Sequence, residues 1–141
     1  VKSLLMFLLL SAMMTWFMFS PIYKHVLIVR QAVLQQEVDY LLEVGASGDH
    51  GYIDAAMLQA SKNRLARYGL NPSSVLFSVS SGSGVSATNA AKPLPRGTSL
   101  SLTASYPIEG LLAIDRLIGL APPAASTKLK ATGMKMSEYV P

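Results

Sequence analysis

From Ser3 to Tyr23 the chain carries no charged side chain, and Leu4 to Phe19 is apolar but for Ser11 and Thr15. At about 1.5 Å of rise per residue, a helix of about 20 such residues crosses the hydrocarbon of a bilayer. Whatever else the chain does, it has to find a non-aqueous partner for this run. Three roles fit it: a cleaved secretion signal, a signal anchor, or the hydrophobic stalk of a filament subunit. A signal peptide has a shorter apolar core closed by small residues in an A-x-A-like site. This run has no such closure, so it is expected to remain on the chain.

The sequence stays helical beyond the run. Leu27, Leu34, Val38 and Leu41 recur at helical spacing, while Gln31, Gln35, Gln36 and Asp39 lie largely off that stripe. The apolar and amphipathic stretches therefore predict one helix reaching to about Val44. Pro21 removes one backbone donor and crowds the preceding turn, which predicts a kink or local break near it, or else a plain helix boundary.

Gly45 to Gly51, with three glycines and Asp49, is a loop by composition. It divides the chain into a membrane or filament-core helix over 1–44 and a small globular domain over 45–141. In the second part, Asp54 is placed as an N-cap with Ile53 and Leu58 as the flanking apolar pair. A helix is predicted from Ala55 to Tyr68, stopping at Gly69 with Leu70 folding back on Leu65. The period then changes to that of strands. Val75, Phe77 and Val79 form one buried face, and Leu100, Leu102 and Ala104 another. Between them, residues 81–97 are rich in Gly, Ser, Ala and Pro and predict a long, exposed hairpin loop. A third strand is expected from Ser126 to about Tyr139, with Leu129 and Ala131 on one face, Lys128 and Lys130 on the other, and Gly133 as a bulge. The fold class that follows is α+β: a long N-terminal hydrophobic helix kinked near Pro21, a second short helix, and a three-stranded antiparallel sheet.

The connection between the last two strands is unlike a loop, because it holds Leu111, Leu112, Ile114, Leu117, Ile118 and Leu120. Two readings stand side by side. One is a contact surface for a partner subunit, the long helix or the membrane interface; the other is a short buried helix closing one end of the core.

Composition narrows the function. No cysteine is present, so there is no disulfide or thiolate metal site. The formal charge is +4; Lys2, Lys24 and Arg30 balance Glu37, Asp39 and Glu43 within 1–44, which leaves the excess in the remainder. Lys62, Arg64 and Arg67 make one small cluster without interleaved aromatics, so no nucleic acid is expected. His25 and His50 stand apart, in a helix and a turn, and no nucleophile, phosphate-loop or metal spacing occurs; neither a catalytic role nor a cofactor is expected.

Several segments together suggest a family. Gly51-Tyr-Ile-Asp54 opens a helix that Arg67-Tyr-Gly-Leu-Asn-Pro72 closes; Leu100-Ser-Leu-Thr-Ala-Ser-Tyr-Pro107 is a strand, and Lys130-Ala-Thr-Gly-Met-Lys-Met-Ser-Glu-Tyr139 ends the domain. With the long N-terminal helix, this layout resembles the pilin and pseudopilin superfamily, and the outer domain is similar to TadE-like pseudopilins of tight-adherence systems. Ser20-Pro21-Ile22-Tyr23 is similar to the Pro and Tyr that follow the first helical stretch of type IV pilins. The resemblance implies a structural subunit of a cell-surface filament with a membrane-inserted stage, a helical homo-oligomer that also meets other subunits of the assembly machinery. The alternative it implies is a single-pass anchored minor pseudopilin or accessory subunit of a secretion or competence apparatus. Pilins of this kind bear a Glu near the start of the mature helix, whereas the first acid here is Glu37. If Val1 is the end left by processing, register must be set by Lys2 or by helix packing. Leu4, Leu8, Trp16, Phe17, Pro21, Leu27 and Leu34 are the expected filament-core or membrane contacts, and Leu111, Ile114, Leu117 and Ile118 the expected lateral contacts.

Overall fold

The structure, a computed structural model, describes all residues except 109–112, 122 and 125. Its elements follow in the order α1 (Lys2–Gly45), α2 (Ala55–Arg67), a 3-10 turn (Pro72–Ser74), β1 (Leu76–Ser81), β2 (Ser99–Pro107), a 3-10 helix (Ala113–Ile118) and β3 (Lys128–Met136). The fold is α+β, with a long N-terminal helix, a short second helix and a three-stranded antiparallel sheet of order β1-β2-β3. Two compact units are present. Val1–Arg30 and Pro107–Lys128 form the first; Gln31–Tyr106 and Leu129–Pro141 form the second.

Helix α1 runs through Pro21 without interruption, so this proline is neither a break nor a boundary. It lacks the N–H that would meet the carbonyl of Phe17, and the helix tolerates that loss within its apolar half.

The second unit is a helix-on-sheet domain. Its core comprises Leu34, Val38, Leu41 and Leu42 from α1, Ile53, Leu65 and Leu70 around α2, Val75 just before β1, Leu100, Leu102, Ala104 and Tyr106 from β2, and Ala131 from β3. Strand β2 is central and alternates strictly, with Leu100, Leu102 and Ala104 buried. Its pairing with β1 sets Phe77 opposite Ala104 and Val79 opposite Leu102, which places the apolar faces together. Strand β3 is shorter than the sequence suggests, ending at Met136. Gly133 within it answers a close approach: a Cβ there would stand 2.7 Å from Leu42 Cδ1. Two glutamines one turn apart on α1 reach this strand. Gln31 Nε2 donates to the carbonyl of Lys130 at 2.6 Å and Gln35 Nε2 to that of Thr132 at 3.2 Å.

Both ends of α2 are built from local signals. Asp54 Oδ1 accepts from the N–H of Met57 at 2.9 Å, satisfying one of the donors that a helix start leaves free. At the other end, Gly69 adopts φ 83°, and the N–H groups of Gly69 and Leu70 bond back to Ala66 and Leu65. This is the 5→2 and 6→1 pair of a Schellman motif, and it lets Leu70 enter the core. The segment after Leu70 is held by the N–H of Asn71 donating to the Tyr106 hydroxyl at 3.1 Å.

The connection from β1 to β2 is not a bare loop. Ala87 and Leu94 are buried, and two backbone bonds of 2.8 Å, Ile53 N to Ala87 O and Leu94 N to Gly51 O, tie it to the start of α2. An apolar residue in the middle of a Gly/Ser-rich stretch is the only sequence trace of this anchoring.

Candidate membrane and assembly surface

Most of the sequence-singled contacts on the first half of α1 lie open. Leu4, Leu8, Phe17 and Pro21 are exposed, Leu8 and Phe17 to 57% and 62%, and Trp16 and Leu27 are half-buried. The helix is long and apolar enough to cross a membrane, by length and composition. From Leu4 to Phe19 most aliphatic and aromatic side chains are exposed, the half-buried Ala12, Thr15 and Trp16 excepted, unlike a soluble amphipathic helix with one apolar stripe turned inward. Leu34 is a correction. It is 0% exposed within the core of the second unit, so it has no surface to offer a second chain.

The connection Pro107–Lys128 belongs with this apolar stem and contributes nothing, among the described residues, to the core of the sheet unit. Among the described residues of the segment, none therefore closes that core. Its 3-10 helix, Ala113–Ile118, docks on α1 through Asp115, which is only 8% exposed. The indole Nε1–H of Trp16 donates to Asp115 Oδ1 at 2.8 Å, and Ser20 Oγ–H donates to the same oxygen at a long 3.4 Å. A carboxylate placed among aliphatic groups needs such donors to offset its lost hydration. Lys24 completes the cluster from the next turns of α1, its ammonium 5.5 Å from the centre of the Trp16 ring. The 3-10 helix ends at Gly119, φ 79°, with Gly119 N and Leu120 N returning to the carbonyls of Arg116 and Asp115.

Of the expected lateral contacts, Leu111 lies outside the described residues. Ile114 is half-buried, and Leu117 and Ile118 line an open apolar groove along α1 with Leu5, Leu8, Leu9, Ala12, Met13, Trp16 and Phe17. Leu117 and Ile118 thus stand beside the stem and not on the sheet unit. Sequence reasoning singled out the aliphatics here but missed Asp115 and Ser20. The signal was a lone acid inside an aliphatic run, in a chain with a single tryptophan to bind it.

On the second unit, a cleft of about 540 Å³ opens between α1 and α2, lined by Val33, Gln36, Glu37, Tyr40, Arg64, Arg67 and Tyr68. Arg64 closes one side: its Nε donates to Glu37 Oε1 at 2.9 Å and its Nη2 to the same oxygen at 2.5 Å, while the guanidinium lies 4.7 Å over the Tyr40 ring. The hydrogen bonding to Glu37 holds the Arg64 guanidinium above its ordinary value, so it is always charged. The pair ties α2 to α1 and leaves the cleft without a free acid. His25 is exposed on α1, and His50 Nδ1 sits 3.2 Å from Ser47 Oγ in the turn after α1. Among the described residues, no group of three or more His, Cys, Asp or Glu side chains is placed to hold a metal ion. Comparison with family models, with curated proteins and with solved structures returns no match for this chain.

Proposed function

We propose that this chain is a pilin-like structural subunit of a surface filament, inserted in a membrane by the first half of α1 and assembled by packing that half against copies of itself. The observation that carries the reading is the division of labour along one helix. Residues 4–19 are apolar but for Ser11 and Thr15 and mostly exposed, whereas Leu34, Val38, Leu41 and Leu42 of the same helix are buried in a folded α+β unit. Removing the stem's apolar surface from lipid or water drives association, at about 25 cal/mol per Å² from water and mainly through packing in lipid.

A second reading, a single-pass anchored accessory subunit that does not polymerise, is favoured by the segment docked at Trp16 and Ser20, which already covers part of the stem. One experiment separates the two. Material sheared from cells is imaged by negative stain, and its main band identified by mass spectrometry. Thin fibres built of this chain are the expected result. Finding the chain only in the membrane fraction, with no fibres, overturns the filament reading in favour of the anchored one.

A further inference from the structure

Four polar groups of the stem unit gather at one level. Asp115 with its donors Trp16 and Ser20, and the Lys24 ammonium beside the Trp16 ring, fall within about two turns of α1. Between Lys2 and Ser20 there are 18 steps of the helix, about 27 Å at the helical rise, close to the ~30 Å hydrocarbon thickness of a bilayer. Tryptophan is also the residue that favours the membrane–water boundary. Leu117 and Ile118 lie two and three residues beyond Asp115 in the 3-10 helix, yet they share a groove with Leu5, Leu9 and Met13, which lie on the N-terminal side of this level. The groove is about 660 Å³, open along its length, and Leu117 is 51% exposed.

Resting on the membrane-inserted stage proposed above, we infer that Ala113–Ile118 is a wedge seated in the lipid leaflet, and that a phospholipid occupies the groove beneath it. The acyl chain lies against Leu117, Ile118 and the Leu5–Phe17 face of α1. Its phosphate is met by Lys24 and by Arg116, which is exposed next to Asp115 in the chain. Charge decides between a lipid and a second copy of the stem. Among the described residues of the stem unit, Lys24 and Arg116 are two cations and Asp115 is the acid beside them, already held by Trp16 and Ser20. The apolar half of α1 brings no acid to answer them, because the first acid in the sequence is Glu37. An anionic headgroup does answer them.

The chain has no cysteine and one tryptophan, which makes the test direct. Full-length Leu8→Cys, Leu117→Cys and Leu76→Cys chains, each spin-labelled, are reconstituted in vesicles of phosphatidylcholine and phosphatidylglycerol; Leu76 is an exposed β1 residue. Collision with oxygen, which concentrates in hydrocarbon, is compared with collision with a water-soluble nickel chelate. Oxygen is expected to dominate at positions 8 and 117, and nickel at 76. Nickel dominance at 117 with oxygen dominance at 8 overturns the wedge while leaving the spanning helix intact, whereas nickel dominance at 8 removes both. Shielding of 117 from both reagents, with dipolar broadening between labels, assigns the groove to a second copy and overturns the lipid. For the headgroup, tail-brominated phosphatidylglycerol is expected to quench Trp16 more than equally brominated phosphatidylcholine. That preference should fall by roughly fivefold for each of Lys24→Gln and Arg116→Gln. Equal quenching by the two lipids in the unaltered chain overturns the role of the two cations.

Discussion

The indole N–H of Trp16 meets the carboxylate of Asp115 at 2.8 Å across 99 positions of sequence, and on this bond the Pro107–Lys128 segment hangs from α1. Trp16→Phe keeps the ring's bulk and removes the donor, leaving a buried acid with one long contact to Ser20. An unsatisfied buried acceptor costs about 1–3 kcal/mol, and every 1.4 kcal/mol is about tenfold in an opening equilibrium. Trypsin cleavage after Arg116 in detergent micelles is therefore expected to accelerate by about tenfold in Trp16→Phe. Asp115→Asn, which keeps an acceptor, should accelerate it less. Unchanged cleavage in Trp16→Phe would mean the segment is held by its aliphatics alone.

Glu37 and Arg64 form the corresponding tie in the sheet unit. The Glu37 side chain is 11% exposed, and the partly exposed Arg64 brings two donors to one of its oxygens. Arg64→Ala strips a mostly buried carboxylate of its partner and should lower unfolding stability by about 1–3 kcal/mol. Arg64→Lys recovers only part of this, since an ammonium lacks the planar fork that both binds Glu37 and stacks on Tyr40. Urea denaturation followed by circular dichroism measures both; equal loss in the two variants would remove the geometric part of the explanation.

Leu8 and Leu34 separate the two halves of α1. Leu34→Ala opens a cavity in a packed core and is expected to cost about 2–5 kcal/mol in the unfolding of the sheet unit. Leu8→Ala, at a site 57% exposed, should leave that unfolding unchanged. Leu8→Asp should instead impair membrane insertion, by about 2.5–3.5 kcal/mol at the centre of a spanning helix, and with it any fibre formation. A folding defect of the sheet unit in Leu8→Asp would contradict this separation.

Lys135 donates to Glu43 at 2.5 Å on the surface, and that hydrogen bond raises the lysine above its ordinary 10.5. A folded-state value raised in this way contributes stability in full below 10.5, and the contribution is lost as pH rises through the folded value. Thermal midpoints of the unaltered chain and Lys135→Met, compared from about pH 9 to about pH 12, should differ at the lower end and converge at the upper. High salt should shrink the difference, because the pair is exposed. A gap that persists at the alkaline end would assign the effect to packing of the lysine stem.

Local signals made much of the fold legible in the sequence. Asp54, Gly69 and Leu70 mark α2 because caps act within a few residues, and the alternation in Leu100–Ala104 marks β2 because one face is buried along its length. Leu34 was misassigned because its periodicity is common to a filament seam and to the core of its own domain; only the position of the sheet distinguishes them. A break or boundary at Pro21 does not occur, since the cost of a missing donor depends on surroundings that the sequence does not specify. The partners of Asp115 were hard to read for another reason. Its bonds join residues far apart in the chain, and nothing in the spacing of Trp16 and Ser20 announces a carboxylate from so much later in the sequence.

The two glutamines of α1 have a consequence for crowding. Lys130 and Thr132 alternate along β3, so their carbonyls face the same side of the strand, and Gln31 and Gln35 occupy both. A border strand with free carbonyls is a template on which a neighbouring chain can add its own strand, the first step toward amyloid-like fusion. With those two acceptors already engaged by amides from its own helix, β3 offers a neighbour a shorter run of free carbonyls on which to pair.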